Sequence, residues 1–241
     1  MIKLYNADCF DVMKTLPDNS VDCIITDPPY GINFTKKYKS GSKKLVQNDD
    51  GFSVMFFIDE ILTEYKRILK DNSGIYIFTR FDVFPYWWIK IKNYFDAKNH
   101  IVWDKGGFGM GDLTGNYAYV YESLIFATKG KHILNGGRMS NVWRIKKCRQ
   151  DFHETQKPVE IIDTILEKST KENDVIFDPY SGSATTAISA IKNNRQFIGC
   201  EYNKECYDIA VKRIQDAGGN VIQQRLSSEA KVSTLPDGNV I

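Results

Sequence analysis

The sequence lacks a CxxC cysteine pair, a GxGxxG run, any internal repeat and any apolar stretch approaching the length of a membrane span. Each absence removes a class of protein. The five cysteines, Cys9, Cys23, Cys148, Cys200 and Cys206, make no even disulfide framework, and Cys23 and Cys200 fall in apolar, strand-like runs. Reduced thiols in a cytoplasmic protein are the expectation, with no metal site. The opening MIKLYNADCF places an acid where a signal peptide needs an unbroken apolar segment, so neither export nor a membrane partner is expected. An excess of one charge is also missing: 32 Lys and Arg against 30 Asp and Glu leave +2, which by itself says nothing about a polyanionic partner.

What is present is enough apolar material, 42% of 241 residues, to bury the core of one full-sized domain. Strand-like runs (IKLYNA, VDCIIT, IYIFT, HIVW, YVYESLIFAT, DVIFDP, FIGCE) alternate with helical patterns at Cys9 to Thr15, Phe52 to Lys70, Val83 to Tyr94, Val159 to Ser169, Ala184 to Lys192 and Lys204 to Asp216. This alternation predicts an α/β fold with a mostly parallel sheet and helices on both faces. The domain is expected over residues 1–217, with 129–152 as a short insertion containing strands near Ile133 to Leu134 and Val142 to Ile145. The stretch 218–241 has little apolar periodicity and is expected to fray.

Charge is unevenly distributed in two places. KKYKSGSKK holds Lys36, Lys37, Lys39, Lys43 and Lys44 without an acid, inside a polar stretch from Gly31 to Asp50 that reads as a mobile loop. Lys129 to Arg149 holds seven basic residues and again no acid. Such runs are usually solvated surface; they become candidates for phosphate contact only through the motifs beside them.

Those motifs are two turns that follow buried strands, where open α/β sheets bind ligands. One is Asp178-Pro179-Tyr180-Ser181-Gly182-Ser183-Ala184-Thr185-Thr186, a small-residue bend leading into a helix, with Glu201 closing the next strand 19 positions after Gly182. That spacing suits an acid on a ribose, while the absence of a pyrophosphate cradle favours a nucleoside without phosphates, of which S-adenosylmethionine is one. The other is Asp27-Pro28-Pro29-Tyr30. Two prolines fix the backbone and remove two donors, leaving rigid carbonyl acceptors between an acid and an aromatic plate. Acceptors beside a flat ring suit an NH2 group on a planar base.

With both turns in hand, the sequence resembles the amino-methyltransferases of DNA, in the β-class order that places the catalytic motif before the cofactor motif. Asp27 to Tyr30 is similar to the family's DPPY motif, Phe177 to Thr186 (FDPYSGSATT) to its cofactor loop, His153 to Pro158 (HETQKP) to its HxTQKP segment, and Asn6 to Cys9 to its N-terminal acidic element. Ala184 stands where the family usually has glycine, Glu154 where it has proline, and Tyr180 where phenylalanine is common. The resemblance implies a seven-stranded, Rossmann-like methyltransferase sheet. It also implies that Asp8, Thr155, Lys157, Asp178, Tyr180, Ser181, Gly182, Ser183, Thr185, Glu201 and Tyr202 surround S-adenosylmethionine, Lys157 reaching the cofactor carboxylate.

In the reaction so implied, a base is rotated out of duplex DNA, Tyr30 stacks on it, and Asp27 and the Pro28 carbonyl accept hydrogen bonds from its amino group, with Pro29 completing the turn. A leading aspartate, where the family also uses serine, favours adenine N6 over cytosine N4. For the DNA, the five lysines after Tyr30 would meet phosphates, and Arg138, Asn141, Arg144, Lys146 and Lys147 in 129–152 would supply recognition. The shortness of that interval suggests a short target site or a homodimer, and a cognate restriction endonuclease is a candidate partner. The competing readings are cytosine N4 or RNA as substrate, a protein glutamine amide, and a non-catalytic nucleic-acid-binding module.

Overall fold

The computed structural model describes residues 1–28, 35–37, 43–45, 51–107, 114–115, 117–147 and 156–224, with backbone alone at 35–37, 43–45, 51–57 and 224. In chain order the elements are β1 (Ile2–Tyr5), α1 (Cys9–Thr15), β2 (Val21–Thr26), β3 (Thr35–Lys37), β4 (Lys43–Leu45), α2 (Gly51–Ile68), β5 (Leu69–Thr79), α3 (Phe84–Ile91), β6 (Asp96–Asp104), β7 (Tyr121–Lys129), β8 (Val142–Arg144), α4 (Val159–Ser169), β9 (Val175–Asp178), α5 (Thr185–Lys192), β10 (Gln196–Cys200), α6 (Lys204–Asp216) and β11 (Val221–Gln224). The large sheet has the order β11-β1-β10-β9-β2-β5-β7-β6-β8. Only β7 runs against the rest.

The period of two along the strands explains both cores. On β5, Tyr76 and Phe78 point to the face covered by α4, α5 and α6, while Ile75 and Ile77 point to the face covered by α1, α2 and α3. Each helix contributes its apolar stripe, such as Ile161, Ile162, Ile165 and Leu166 of α4, all buried. Helices therefore cover both faces of a mostly parallel sheet, as the alternation predicts. Among the described residues no helix is long and apolar enough to cross a membrane.

The sheet is wider than the seven strands expected, because β8 and β11, of three and four residues, extend its two edges. β8 falls within the strand expected near Val142 to Ile145, whereas Val221–Gln224 is too short for an alternation to be read. The expectation of a fraying tail from residue 218 is corrected over its first part. Gly219 packs against Ile191 and Ile214 where a Cβ would lie 2.6 and 2.8 Å from their side chains; the chain then turns back, and Val221–Gln224 pairs with β1. Residues 225–241 lie outside the described ones.

The 129–152 interval is likewise tied into the sheet. Val142–Arg144 pairs with β6, Trp143 and Ile145 are buried, and the Trp103 indole donates to the Ile145 carbonyl at 2.7 Å. Ile133 and Leu134 form no strand. Within the expected 31–50 loop, β3 and β4 form an antiparallel hairpin that sets Lys36 opposite Lys44 and Lys37 opposite Lys43.

Candidate active site

Strand order reverses direction between β2 and β9. From β2 the chain proceeds through α2 to β5 on one side; from β9 it proceeds through α5 to β10 on the other. A crevice at the carboxyl ends of these two strands is the ligand site of an open α/β sheet. The two turns singled out in the sequence are therefore neighbours: Asp27 and Pro28 follow β2, and Asp178 ends β9. Asp8 follows β1 and Glu201 follows β10 at the same edge, and antiparallel β7 brings its first residues, Tyr121 and Glu122, there too.

The β9–α5 turn is held by a closed set of hydrogen bonds. Ser181 N–H donates to the Cys200 carbonyl (2.9 Å), its hydroxyl to the Asp178 carbonyl (3.0 Å), and Ala184 N–H to the Ser181 carbonyl (2.7 Å). Gly182 lies in left-handed backbone at φ 50 and Ala184 at φ 63, so the alanine that departs from the family pattern still adopts the conformation for which glycine is favoured. The guanidinium of buried Arg213 donates to the Ser183 carbonyl.

Gly199 on β10 makes room for this loop: a Cβ there would lie 2.3 Å from Ser181 Oγ and 2.4 Å from the Phe197 ring. Gly199→Ala is therefore expected to displace Ser181, lowering the thermal unfolding midpoint and weakening S-adenosylmethionine affinity together. Calorimetry and a binding titration on one preparation check this; wild-type values in both would show that the loop tolerates the methyl.

The acids that line the crevice are oriented before any ligand arrives. Glu201 accepts from Gly182 N–H at Oε2 (3.0 Å) and from Asn203 N–H at Oε1 (2.7 Å). Asn6, from the end of β1, donates to the Glu201 and Tyr202 carbonyls (2.9 and 3.1 Å). Asp8 caps α1, accepting from Phe10 N–H at 2.9 Å. The Tyr180 hydroxyl meets Cys9 Sγ at 3.4 Å, and its ring packs on the α1–α3 side of the core. Asp178 is buried, accepting from Tyr180 N–H (3.1 Å) and the Thr186 hydroxyl (2.7 Å). Burial pushes its carboxyl up to about 7, against those two hydrogen bonds and with help from the charges of Asp27 and Glu201.

This set of acceptors fits S-adenosylmethionine. Fixed carboxylates suit a ribose diol and an adenine amino group, and Asp178, which forms no ion pair among the described residues, suits a cationic group.

On the other side of Asp27 stands a chain of alternating charges. Lys157 Nζ lies 2.8 Å from Asp27 Oδ2 and 3.0 Å from Glu122 Oε2, and Lys105 Nζ lies 3.1 Å from Glu122 Oε1. The Lys157 to Oε2 contact is an ion pair rather than an aligned hydrogen bond. Burial works to raise the Glu122 carboxyl, but Lys157 and Lys105 outweigh it and hold the group at about 2. Lys157, expected at the cofactor carboxylate, is thus placed beside Asp27.

Of the expected site residues, Asp8, Asp27, Pro28, Lys157, Asp178, Tyr180, Ser181, Gly182, Ser183, Thr185, Glu201 and Tyr202 gather at this edge, Tyr202 exposed. Pro29, Tyr30, Lys39 and Thr155 lie outside the described residues. Arg138, Asn141, Arg144, Lys146 and Lys147 are exposed, on or beside β8 at the sheet's far edge. Asn141 donates to the His100 carbonyl at 2.9 Å, and Arg144 lies 3.7 Å from Asp104. Sequence reasoning missed Glu122, Lys105, Gly199 and Arg213. Glu122 carried a signal, a lone acid inside the apolar run YESLIFA.

Comparison with known proteins agrees with the geometry. A family model described as DNA methylase matches residues 21–212. The type II methyltransferase M2.MboI of Moraxella bovis is 30% identical over 88% of this chain and 87% of its own length. The DNA adenine methyltransferase YhdJ of Escherichia coli is 26% identical over 98% and 89%. The crystal structure of an M1.HpyAVI–SAM complex superposes with a TM-score of 0.68 at 28% identity, covering 88% of this chain and all of that one. The chain belongs to the DNA methylase family and is an S-adenosylmethionine-dependent DNA methyltransferase.

Proposed function

We propose that this enzyme methylates the N6 amino group of an adenine rotated out of duplex DNA. The observation that carries the reading is the position of Asp27 and Pro28 at the switch point, one strand from the turn that fits the cofactor. The leading aspartate of the motif and the relative named an adenine methyltransferase favour adenine over cytosine.

The bound cofactor supplies an electrophilic methyl group on a cationic sulfur. The protein's task is to orient the amino nitrogen towards it. The Asp27 carboxylate and the Pro28 carbonyl accept from the amino N–H groups, so the nitrogen lone pair is less delocalised into the ring and can attack. The same acceptors stabilise the positive charge that grows on nitrogen before its proton leaves, which is stabilisation present mainly in the transition state. Tyr30 stacks on the extruded base and offsets part of the few kcal/mol that unstacking costs. No cysteine nucleophile is needed; buried Cys9 has its thiol pushed up to about 12 by desolvation.

Duplex DNA is the partner in this reading. The β3–β4 pairing sets Lys36 opposite Lys44 and Lys37 opposite Lys43 in backbone register, and this run of lysines is read as the phosphate contact. Arg138, Asn141, Arg144, Lys146 and Lys147 extend the contact at the β8 edge. The short recognition interval fits a short target site or a homodimer, and the relatives named type II methyltransferases extend the reading to a modification enzyme with a cognate endonuclease.

The test is to incubate the protein with labelled S-adenosylmethionine and unmethylated duplex DNA of mixed sequence, then digest to nucleosides. N6-methyladenine is expected. N4-methylcytosine would keep the mechanism and overturn the base; label in RNA or protein alone would overturn the substrate.

A further inference from the structure

We propose that Glu122 is a positioning residue for methyl transfer, acting on Asp27 through Lys157, with Lys105 as the second support of Glu122. The inference rests on the reading that Asp27 accepts the substrate amino group.

The four side chains come from four separate places in the chain: the end of β2, the end of β6, the start of β7 and the residue pair before α4. They form one alternating line, Asp27, Lys157, Glu122, Lys105, with successive N···O distances of 2.8, 3.0 and 3.1 Å. Lys157 and Lys105 are nearly enclosed, at 11% and 10% side-chain exposure, whereas Asp27 keeps 27% at the open end. Exposed lysines hold ion pairs loosely; enclosed ones hold a fixed geometry. Below the ammonium of Lys157 lies the Phe78 ring, 5.1 Å to its centroid, an apolar, electron-rich face.

A carboxylate that must accept from a substrate N–H needs one oxygen held and the other presented. Lys157 contacts Oδ2 of Asp27. If Lys157 answered to Asp27 alone, its full charge would draw on the acid that the substrate needs as an acceptor. Glu122 divides that charge: the ammonium sits between two carboxylates, fixes one without neutralising it, and cannot swing towards the cofactor without leaving Glu122 behind. Lys105 in turn keeps Glu122 from carrying an uncompensated charge. It also anchors the strand junction, since its backbone N–H donates to the Val120 carbonyl at 2.9 Å. Glu122 does not touch substrate in this arrangement; it sets where Lys157, and hence Asp27, stands.

The experiment uses the full chain with labelled S-adenosylmethionine and duplex DNA, comparing Glu122→Gln, Lys105→Met and Lys157→Met with the parent. Glu122→Gln keeps the shape and removes the charge. The expected result is a fall of about 10- to 100-fold in the single-turnover transfer rate, the scale of a misplaced catalytic group. Cofactor Kd and KM for DNA should stay within about twofold. Lys105→Met should give a smaller loss of the same kind, and it keeps the test open if the glutamine variant unfolds.

A parental rate in both Glu122→Gln and Lys105→Met would overturn the inference. So would a loss confined to cofactor Kd in Lys157→Met, which would return Lys157 to the cofactor. Failure of the underlying reading looks different: Asp27→Ala would then retain turnover, whereas failure of this inference alone leaves Asp27→Ala inactive and Glu122→Gln normal.

Discussion

Asp27→Ala is expected to lower the rate of methyl transfer by about 10²- to 10³-fold, the usual cost of removing one preorganised electrostatic contact from a reacting group. The effect should fall on the chemical step. Asp27 stands on the β2 side of the switch point, and the residues that fit the cofactor stand on β1, β9 and β10. Cofactor affinity should even hold or improve slightly near neutral pH, because the charge of Asp27 helps to raise the Asp178 carboxyl and its removal lets Asp178 ionise more readily. Asp27→Asn, which keeps a carbonyl acceptor but no charge, should fall between the parent and the alanine variant. Single-turnover rates at saturating cofactor and DNA, with a separate cofactor titration, check the division. Turnover within threefold of the parent would remove Asp27 from the mechanism.

Much of this architecture was legible because it repeats one rule. VDCIIT and VIFDP are apolar runs ending at an acid and a proline, and both proved to be parallel strands ending at the same crevice. Lys204 to Asp216 and Cys9 to Thr15 matched their helices to the residue, because polar residues at Asn203 and Asp8 cap them. What was not legible depends on contacts between distant parts of the chain. Edge strand β11 exists because β1 offers an open hydrogen-bonding edge, not because VIQQ demands extension. The ion pairs of Lys157 with Asp27 and Glu122 join residues 130 and 35 positions away, and nothing local to Lys157 says so. Gly199 is a similar case, since its reason is the hydroxyl of Ser181, delivered from the adjacent strand's turn.

Asp178 makes stability and cofactor affinity respond to pH in opposite directions. Its carboxyl titrates near 3.8 in an unfolded chain and at about 7 in the folded protein, mainly because burial disfavours the charge. Between those values the native state holds a proton that the unfolded state has lost, so this residue's contribution to stability declines as pH rises from about 4 to about 7 and then levels off. The total is on the order of a few kcal/mol. Cofactor binding reverses the sign. An ionised Asp178 attracts the cationic end of S-adenosylmethionine, so affinity should strengthen by up to about tenfold per pH unit below 7 and flatten above 8.

Asp178→Asn separates the two effects. The amide carbonyl can still accept from Tyr180 N–H, and the Thr186 hydroxyl can reverse its role and accept from the amide nitrogen, so the packing survives. At pH 8 the variant should unfold at a higher temperature than the parent while binding the cofactor more weakly, with an affinity that no longer changes between pH 6 and 8. Thermal unfolding and cofactor titrations at pH 6, 7 and 8 read both quantities. A variant that melts lower at pH 8, together with a parental affinity flat in pH, would mean that Asp178 stays ionised in the fold. The penalty is retained because the position that destabilises the empty protein is the one that recognises charge in the ligand, where burial makes an electrostatic contact strongest.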